Sequence, residues 1–326
     1  MSESTKTDDR PQTKPASQVK RFLADNGALV GLVVICVALF IATPNFLTAG
    51  NLLNVGIQAA VIAILAFGMT FVIVTAGIDL AVGSMAALGA MASAFMFVGA
   101  GLPGWLALIV GLLVGALAGA ASGVAVAYAK LPPFIATLAM LSIARGLTLV
   151  ISGGKPIRTP AAVNFLGSSL GPIPVPIIMM AIAGIVCAFI LKKTVIGRTM
   201  YAIGGNPEAA RLSGLPVKKV LVIVYALSGL FAGLAGLVLA GRLSSAQPTA
   251  GSGYELDAIA AVVIGGASLA GGVGGAFGTL IGALLLAVIR NGLNILNVSS
   301  FWQQVVIGAV IAIAVGMDSL RKKVDD

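Results

Sequence analysis

Residues 192–219 read KKTVIGRTMYAIGGNPEAARLSGLPVKK. This is the longest polar interruption between two apolar blocks, and it holds six of the chain's twenty Lys and Arg residues. A loop this basic, set between segments of membrane-spanning length, is expected to face the cytoplasm. It is long enough to fold rather than merely turn the chain, which points to contact with a cytoplasmic partner. Its pattern predicts a short helix over 207–213. Asn206 suits the cap, Pro207 the first turn, and Glu208 the positive end of the helix dipole. Ala209, Ala210 and Arg211 continue the helix, and Gly214 ends it. Gly204 and Gly205 are expected to turn the chain into it.

The rest of the chain sets that segment in a membrane. Of 326 residues, 59% are hydrophobic and only 10% charged, with a mean hydropathy of +1.07. Soluble domains are about 25% charged. The apolar runs are continuous rather than alternating, so the spanning element is a helix and not a barrel strand. The fold class is all-α, a polytopic membrane protein with about ten transmembrane helices. The spans are expected near 27–43, 55–75, 80–100, 105–128, 134–151, 174–191, 218–240, 256–271, 275–296 and 302–319, the eighth being the shortest. The join at 76–80 is too short to leave the membrane, so Ala76–Asp79 reads as a broken-helix or tight re-entrant corner. Residues 1–26 are expected to be a disordered cytoplasmic tail, 27–320 the transmembrane domain and 321–326 a second cytoplasmic tail.

The charges agree with this layout. With both termini inside, fifteen basic residues lie inside: Lys6, Arg10, Lys14, Lys20, Arg21, Lys130, the six of 192–219, and Arg321, Lys322 and Lys323. Three lie outside: Lys155, Arg158 and Arg242. That bias fits an even number of spans. The net charge of +9 is thus a topological signal, and no nucleic-acid partner is expected.

Small residues carry packing information. Gly111, Gly115, Gly119 and Gly123 recur every fourth residue, as do Gly274, Gly278 and Gly282, which lets helix backbones approach closely within or between subunits. A weak echo relates 77–90 to 268–283, both small-residue corners between two spans.

Catalytic chemistry is missing. There is no histidine, and Cys36 and Cys187 read as inert buried thiols, so no metal site is expected. Gly153-Gly154-Lys155-Pro156 lacks the spacing of a phosphate loop. Charges within spans are costly, about 2.5–3.5 kcal/mol on the mildest scale, and so each is a candidate. Asp79 either caps the third span or lines the inner end of a pathway. Arg145 lies mid-span and needs a partner or water, so it either forms an internal ion pair or lines the pathway. Arg290 also falls within a span. Glu255 and Asp257 are expected to meet water, and Asp318 to lie at the interface. Asn51, Asn54 and Gln58 share one side of the second span, and Asn291, Asn294 and Asn297 recur every third residue. Such amides suit either a pathway for a neutral polyol or interhelical hydrogen bonds. Loops 152–173 and 241–255, the first stiffened by Pro156, Pro160 and Pro172, are either docking surfaces or plain connectors.

Glu208-Ala209-Ala210 with Gly214 matches the E-A-A-x-x-x-G core of the cytoplasmic loop in ABC-importer permeases. The longer signature of some importer families, continuing to Ile-x-Leu-Pro, does not carry over, since Leu215-Pro216 follows Gly214 directly. The stretches 75–90, 197–214 and 242–272 resemble the ribose-type permeases of monosaccharide ABC importers, and the likeness covers about 27–320. The resemblance implies a lipid-embedded, ten-span inner-membrane subunit that works as a pair, expected to be a homodimer. It implies a cytoplasmic ABC ATPase docking on a coupling helix at 207–213, and a periplasmic sugar-binding protein delivering substrate. No cofactor is expected in this chain, the ATP being used by the partner. Related permeases for another sugar, a nucleoside or a branched-chain amino acid remain open. So does an ion-coupled carrier, although the chain is poor in the intramembrane acids such carriers use. A passive channel would leave the 192–219 segment unexplained.

Overall fold

The computed structural model describes residues 27–325. The expected N-terminal tail, with Lys6, Arg10, Lys14, Lys20 and Arg21, lies outside the described residues, as do the side chains of Asp318, Arg321, Lys322 and Lys323. The described chain is overwhelmingly helical. In order it forms α1 (Gly27–Ala42), α2 (Ala49–Val74), α3 (Val82–Val98), α4 (Gly104–Ala127) and α5 (Pro133–Ser152). Then follow β1 (Ile157–Arg158), α6 (Ala161–Leu166), β2 (Ser169–Leu170), β3 (Ile173–Pro174), α7 (Val175–Lys193), α8 (Val195–Gly205) and α9 (Pro207–Leu212). The chain ends with α10 (Val217–Leu243), β4 (Ser245–Ala246), α11 (Tyr254–Ile264), α12 (Ala276–Ile295) and α13 (Ser300–Asp325).

Six helices, α2, α4, α5, α7, α10 and α12, are long and apolar enough to cross a membrane, and α1 and α3 are shorter apolar helices. The chain is an all-α, multi-pass membrane protein. The expected eighth span is where the structure departs most. Over 256–271 the helix stops at Ile264, and 265–275 is irregular. Glycine explains the break: Gly266, Gly271 and Gly272 hold φ of 90°, 88° and 74°, which L side chains rarely adopt. At 11 residues, α11 is about 16 Å long, half of a hydrocarbon core of about 30 Å.

α2 is the heart of the bundle, with every residue from Ala59 to Val74 buried. It packs against α7, α10, α11 and α12. A helix that is apolar all round and surrounded on all sides is a core helix. α2 and α12 run antiparallel. The Thr70 and Thr279 hydroxyls are 2.7 Å apart, and Asn51 meets Asn291 further along.

The glycine stripe of α4 packs inside the subunit, against α10. A Cβ on Gly115 would stand 3.1 Å from Gly233 Cα, and one on Gly123 would stand 2.8 Å from Val222 Cα. Gly278 and Gly282 do the same for α12 on α11, against Gly265 and Ala261, whereas Gly274 lies in the loop before the helix.

Two small ribbons close one end of the bundle. Ile157 pairs with Ala246 and Arg158 with Ser245, so loops 152–173 and 241–255 meet there. β2 and β3 form a hairpin beside them. α10, 27 residues long and so about 40 Å, separates this end from α9.

Candidate functional site

The 192–219 segment folds much as its pattern requires. Thr194 caps α8, its hydroxyl accepting from Gly197 N at 3.0 Å. Asn206 caps α9, its Oδ1 accepting from Glu208 N at 3.1 Å and Ala209 N at 2.9 Å. Pro207 opens the helix, and Ala210 is its buried residue. Gly214, at φ 80°, ends it, and Leu215 N returns to the Ala210 carbonyl at 3.1 Å.

Glu208 and Arg211 are exposed and bonded to one another, with Arg211 Nε donating to Glu208 Oε2 at 3.1 Å. That hydrogen bond, and then the guanidinium charge, hold the Glu208 carboxyl below the usual carboxylate range and raise Arg211. One expectation needs correcting. Gly204 and Gly205 are not a turn but the last residues of α8, and the chain turns at Asn206 (φ −158°, ψ 103°). Gly204 is small because a Cβ there would strike the Val74 carbonyl.

The second feature is the interior where the helices break. Asp79 is fully buried. Its Oδ1 accepts from Ala81 N at 3.0 Å and its Oδ2 from the Ser228 hydroxyl at 2.8 Å. It therefore holds the start of α3 and ties it to α10. The Ile78 carbonyl beside it accepts from Thr137 of α5 at 3.3 Å. Among the described residues no cation bridges Asp79.

Arg145 reaches from α5 to the segment joining α10 to α11. Its Nη1 donates to the carbonyls of Pro248 and Ala250, both at 3.0 Å. Glu255, whose Oε1 accepts from Gly253 N at 3.3 Å, supplies the nearby opposite charge. Gly83, at the start of α3, fits against Gly251 and Glu255. A Cβ on it would stand 2.6 Å from Glu255 Oε2. The first turns of α3 and α11 thus meet.

Asp257, expected to meet water, is instead buried at 3% exposure. The cause is that Asp257 falls on the face of α11 that packs against α2 and α12. Arg290 of α12 neutralises the carboxylate, Nη2 lying 2.7 Å from each oxygen.

The amides do not converge on one place. Asn51 and Asn291 bond reciprocally, at 3.0 and 2.8 Å, and Asn51 also donates to the Phe46 carbonyl. Asn294 is exposed and accepts from Gln303 at 2.8 Å. Asn54 is exposed and Gln58 half-buried. Asp79 lies near the far end of α2 from Asn51, and Arg145 is on a different helix. A narrow space lies between α3 and α10, lined by Ala86, Ala90, Leu239, Gln247 and Tyr254 among others.

Sequence reasoning missed Ser228, 149 residues from its partner Asp79, and Tyr201, whose hydroxyl donates to the Gly274 carbonyl at 2.8 Å. Nothing in their local sequence marks either one. Both cysteines are free, and Cys187 is buried against the Phe67 carbonyl. Among the described residues no cluster of acids and cysteines could hold a metal ion.

Buried charges tied to helix breaks, inside a bundle of membrane-length helices, mark a membrane transport protein. The chain belongs to the family described as the branched-chain amino acid transport system / permease component, which matches residues 51–315. It is 51% identical over 303 residues to the ribose import permease protein RbsC of Bacillus subtilis (strain 168), covering 91% of this chain and 92% of that one. It is 47% identical to the protein of the same name from Escherichia coli (strain K12), covering 93% and 96%. To the D-allose transport system permease protein AlsC of Escherichia coli (strain K12) it is 41% identical, covering 90% and 91%. No solved structure matches the chain.

Proposed function

We propose that this chain is the membrane-spanning permease subunit of an ATP-driven importer that carries a monosaccharide, with ribose as the substrate. The observation that carries this reading is 51% identity to a ribose import permease across nine-tenths of both chains, ten points above the D-allose relative. The chain is non-catalytic. A separate cytoplasmic ABC ATPase hydrolyses ATP, and a periplasmic binding protein delivers the sugar. The permease works as a homodimer in the bacterial inner membrane, with both termini cytoplasmic. Ten segments then cross or enter the bilayer: α1 to α5, α7, α10, α11 with its following loop, α12 and α13.

In this reading α9 is the coupling helix, and Gly204, Gly205, Asn206, Glu208, Ala209, Ala210, Arg211 and Gly214 are the ATPase-coupling residues, the exposed ones making the contact. Its exposed Glu208–Arg211 pair and its firm caps at both ends support that role. Among the pathway candidates Asn51, Asn54, Gln58, Asp79, Arg145, Asn291 and Asn294, Arg145 is the best supported. It lies half-buried where α3 and α11 begin, and only its Nη1 is occupied by carbonyls. The remaining N–H groups suit sugar hydroxyls.

The test is uptake of ribose by vesicles holding the permease with its ATPase and binding protein. Uptake that persists unchanged without ATP or without the ATPase would overturn the reading. It would favour an ion-coupled carrier, whose natural site is the buried carboxylate of Asp79.

A further inference from the structure

The two breaks of the bundle, 75–81 and 265–275, meet at one point, and the end of α8 is the third member of that junction. The Val74 carbonyl, at the end of α2, accepts from Gly272 N at 2.9 Å. Gly271 lies so close that a Cβ on it would stand 2.8 Å from Ala76 Cβ and 2.8 Å from the Gly204 carbonyl. Gly204 itself packs directly on the Val74 carbonyl. Three residues earlier on the same face of α8, the Tyr201 hydroxyl donates to the Gly274 carbonyl at 2.8 Å. One short helix end therefore touches both breaks, through backbone at Gly204 and through a side chain at Tyr201.

The mechanical setting is specific. Only Asn206 separates α8 from α9, so a displacement of α9 is delivered directly to the end of α8. Both breaks lack a continuous helical ladder, and Ala76 holds φ 59°, so these segments are where φ and ψ change most easily. The 75–81 break leads into α3 and the 265–275 break follows α11, both helices of reduced length, and Gly83 in the first turn of α3 packs against Gly251 just ahead of α11. A shift of α8 therefore bears on both at once.

We infer that Tyr201 and Gly204 carry movement of α9 into the membrane, with the Tyr201 hydroxyl as the positioning contact that grips the 265–275 loop. This rests on the proposed function, in that α9 is taken as the place where the ATPase acts. Gly204 supplies close contact and Tyr201 supplies the tether, so loss of the tether alone should uncouple rather than unfold.

The experiment uses the full complex, permease with ATPase and binding protein, in vesicles of phosphatidylethanolamine and phosphatidylglycerol, comparing wild type with Tyr201→Phe. Three quantities are read: retention of the ATPase, ATP hydrolysis stimulated by ribose-loaded binding protein, and ribose moved per ATP. The expected result is retained ATPase and retained stimulated hydrolysis, with ribose per ATP reduced about five-fold, the scale of one lost hydrogen bond. An unchanged ratio overturns the inference. So does a parallel loss of hydrolysis and uptake with a lowered melting temperature, which is what a purely structural hydroxyl would produce. Wild-type uptake that needs no ATPase would overturn the importer reading itself, and so is distinguishable from failure of the Tyr201 contact.

Discussion

Ser228 of α10 donates its hydroxyl to Asp79 Oδ2 at 2.8 Å, across 149 residues of sequence. A carboxylate buried in the break after α2 is thereby held by one side-chain donor and one backbone amide. Ser228→Ala leaves one carboxylate oxygen without its donor, which should cost about 1–3 kcal/mol of stability. Thermal unfolding of the purified protein in detergent checks this.

Asp79→Asn separates two accounts of the same residue. An amide keeps the acceptor for Ala81 N and offers a donor to Ser228, so the importer should retain ATP-driven uptake. An ion-coupled carrier built on this carboxylate would lose uptake altogether, and a vesicle uptake assay distinguishes the two.

Arg290 and Asp257 form a buried pair between α12 and α11. Removing one partner strands the other, so Asp257→Ala should destabilise by about 3–5 kcal/mol. Replacing both with apolar residues of similar volume should cost far less. Melting temperatures of the two single variants and the double variant test the contrast.

Truncating either amide of the Asn51–Asn291 pair breaks the two bonds between them, and truncating Asn51 also removes its bond to the Phe46 carbonyl. In a double-mutant cycle with leucine at each position, the coupling should be about 0.5–3 kcal/mol. If Asn291 also lines the pathway, Asn291→Leu slows transport more than basal ATP hydrolysis. Equal effects on both assign it to packing.

Charge reversal at α9, Glu208→Lys with Arg211→Glu, should abolish ATPase association while membrane insertion is unaffected, as pull-down and fractionation would show. The pH response has a definite sign. Because the Glu208 carboxyl is held below its ordinary value, its pairing with Arg211 is intact above the usual Glu pKa of about 4.3. It is lost only as pH falls through the lowered value. Association of the wild type should therefore be insensitive to this pair from pH 8 down to about 5.

Much of this fold was legible in the chain because hydrophobic length and helix caps are local signals. Asn206, Pro207 and Gly214 bound α9 as their chemistry demands, and the corner at Ala76–Asp79 follows from too few residues between two apolar runs. The eighth span misled because 256–271 is apolar throughout, and hydropathy does not register that Gly266, Gly271 and Gly272 take left-handed conformations. Gly204 and Gly205 misled for the opposite reason. Their glycines suggested a turn, yet Gly204 is needed for lack of bulk beside Val74. The partners of the buried charges were not legible at all, since Arg145–Pro248, Asp79–Ser228 and Arg290–Asp257 are fixed by three-dimensional packing.

The glycine contact between α4 and α10 bears on how force crosses this protein. Helices separated by flexible side chains can slide and absorb a push, whereas two whose backbones touch along four successive turns must travel as a single beam. One end of that beam adjoins α9, and the other, about 40 Å away, carries β4 and its ribbon with β1. A tilt applied at Val217 would therefore reach the opposite face undamped. A single alanine in the stripe, such as Gly119→Ala against the Tyr225 carbonyl, would convert a stiff strut into a compliant one.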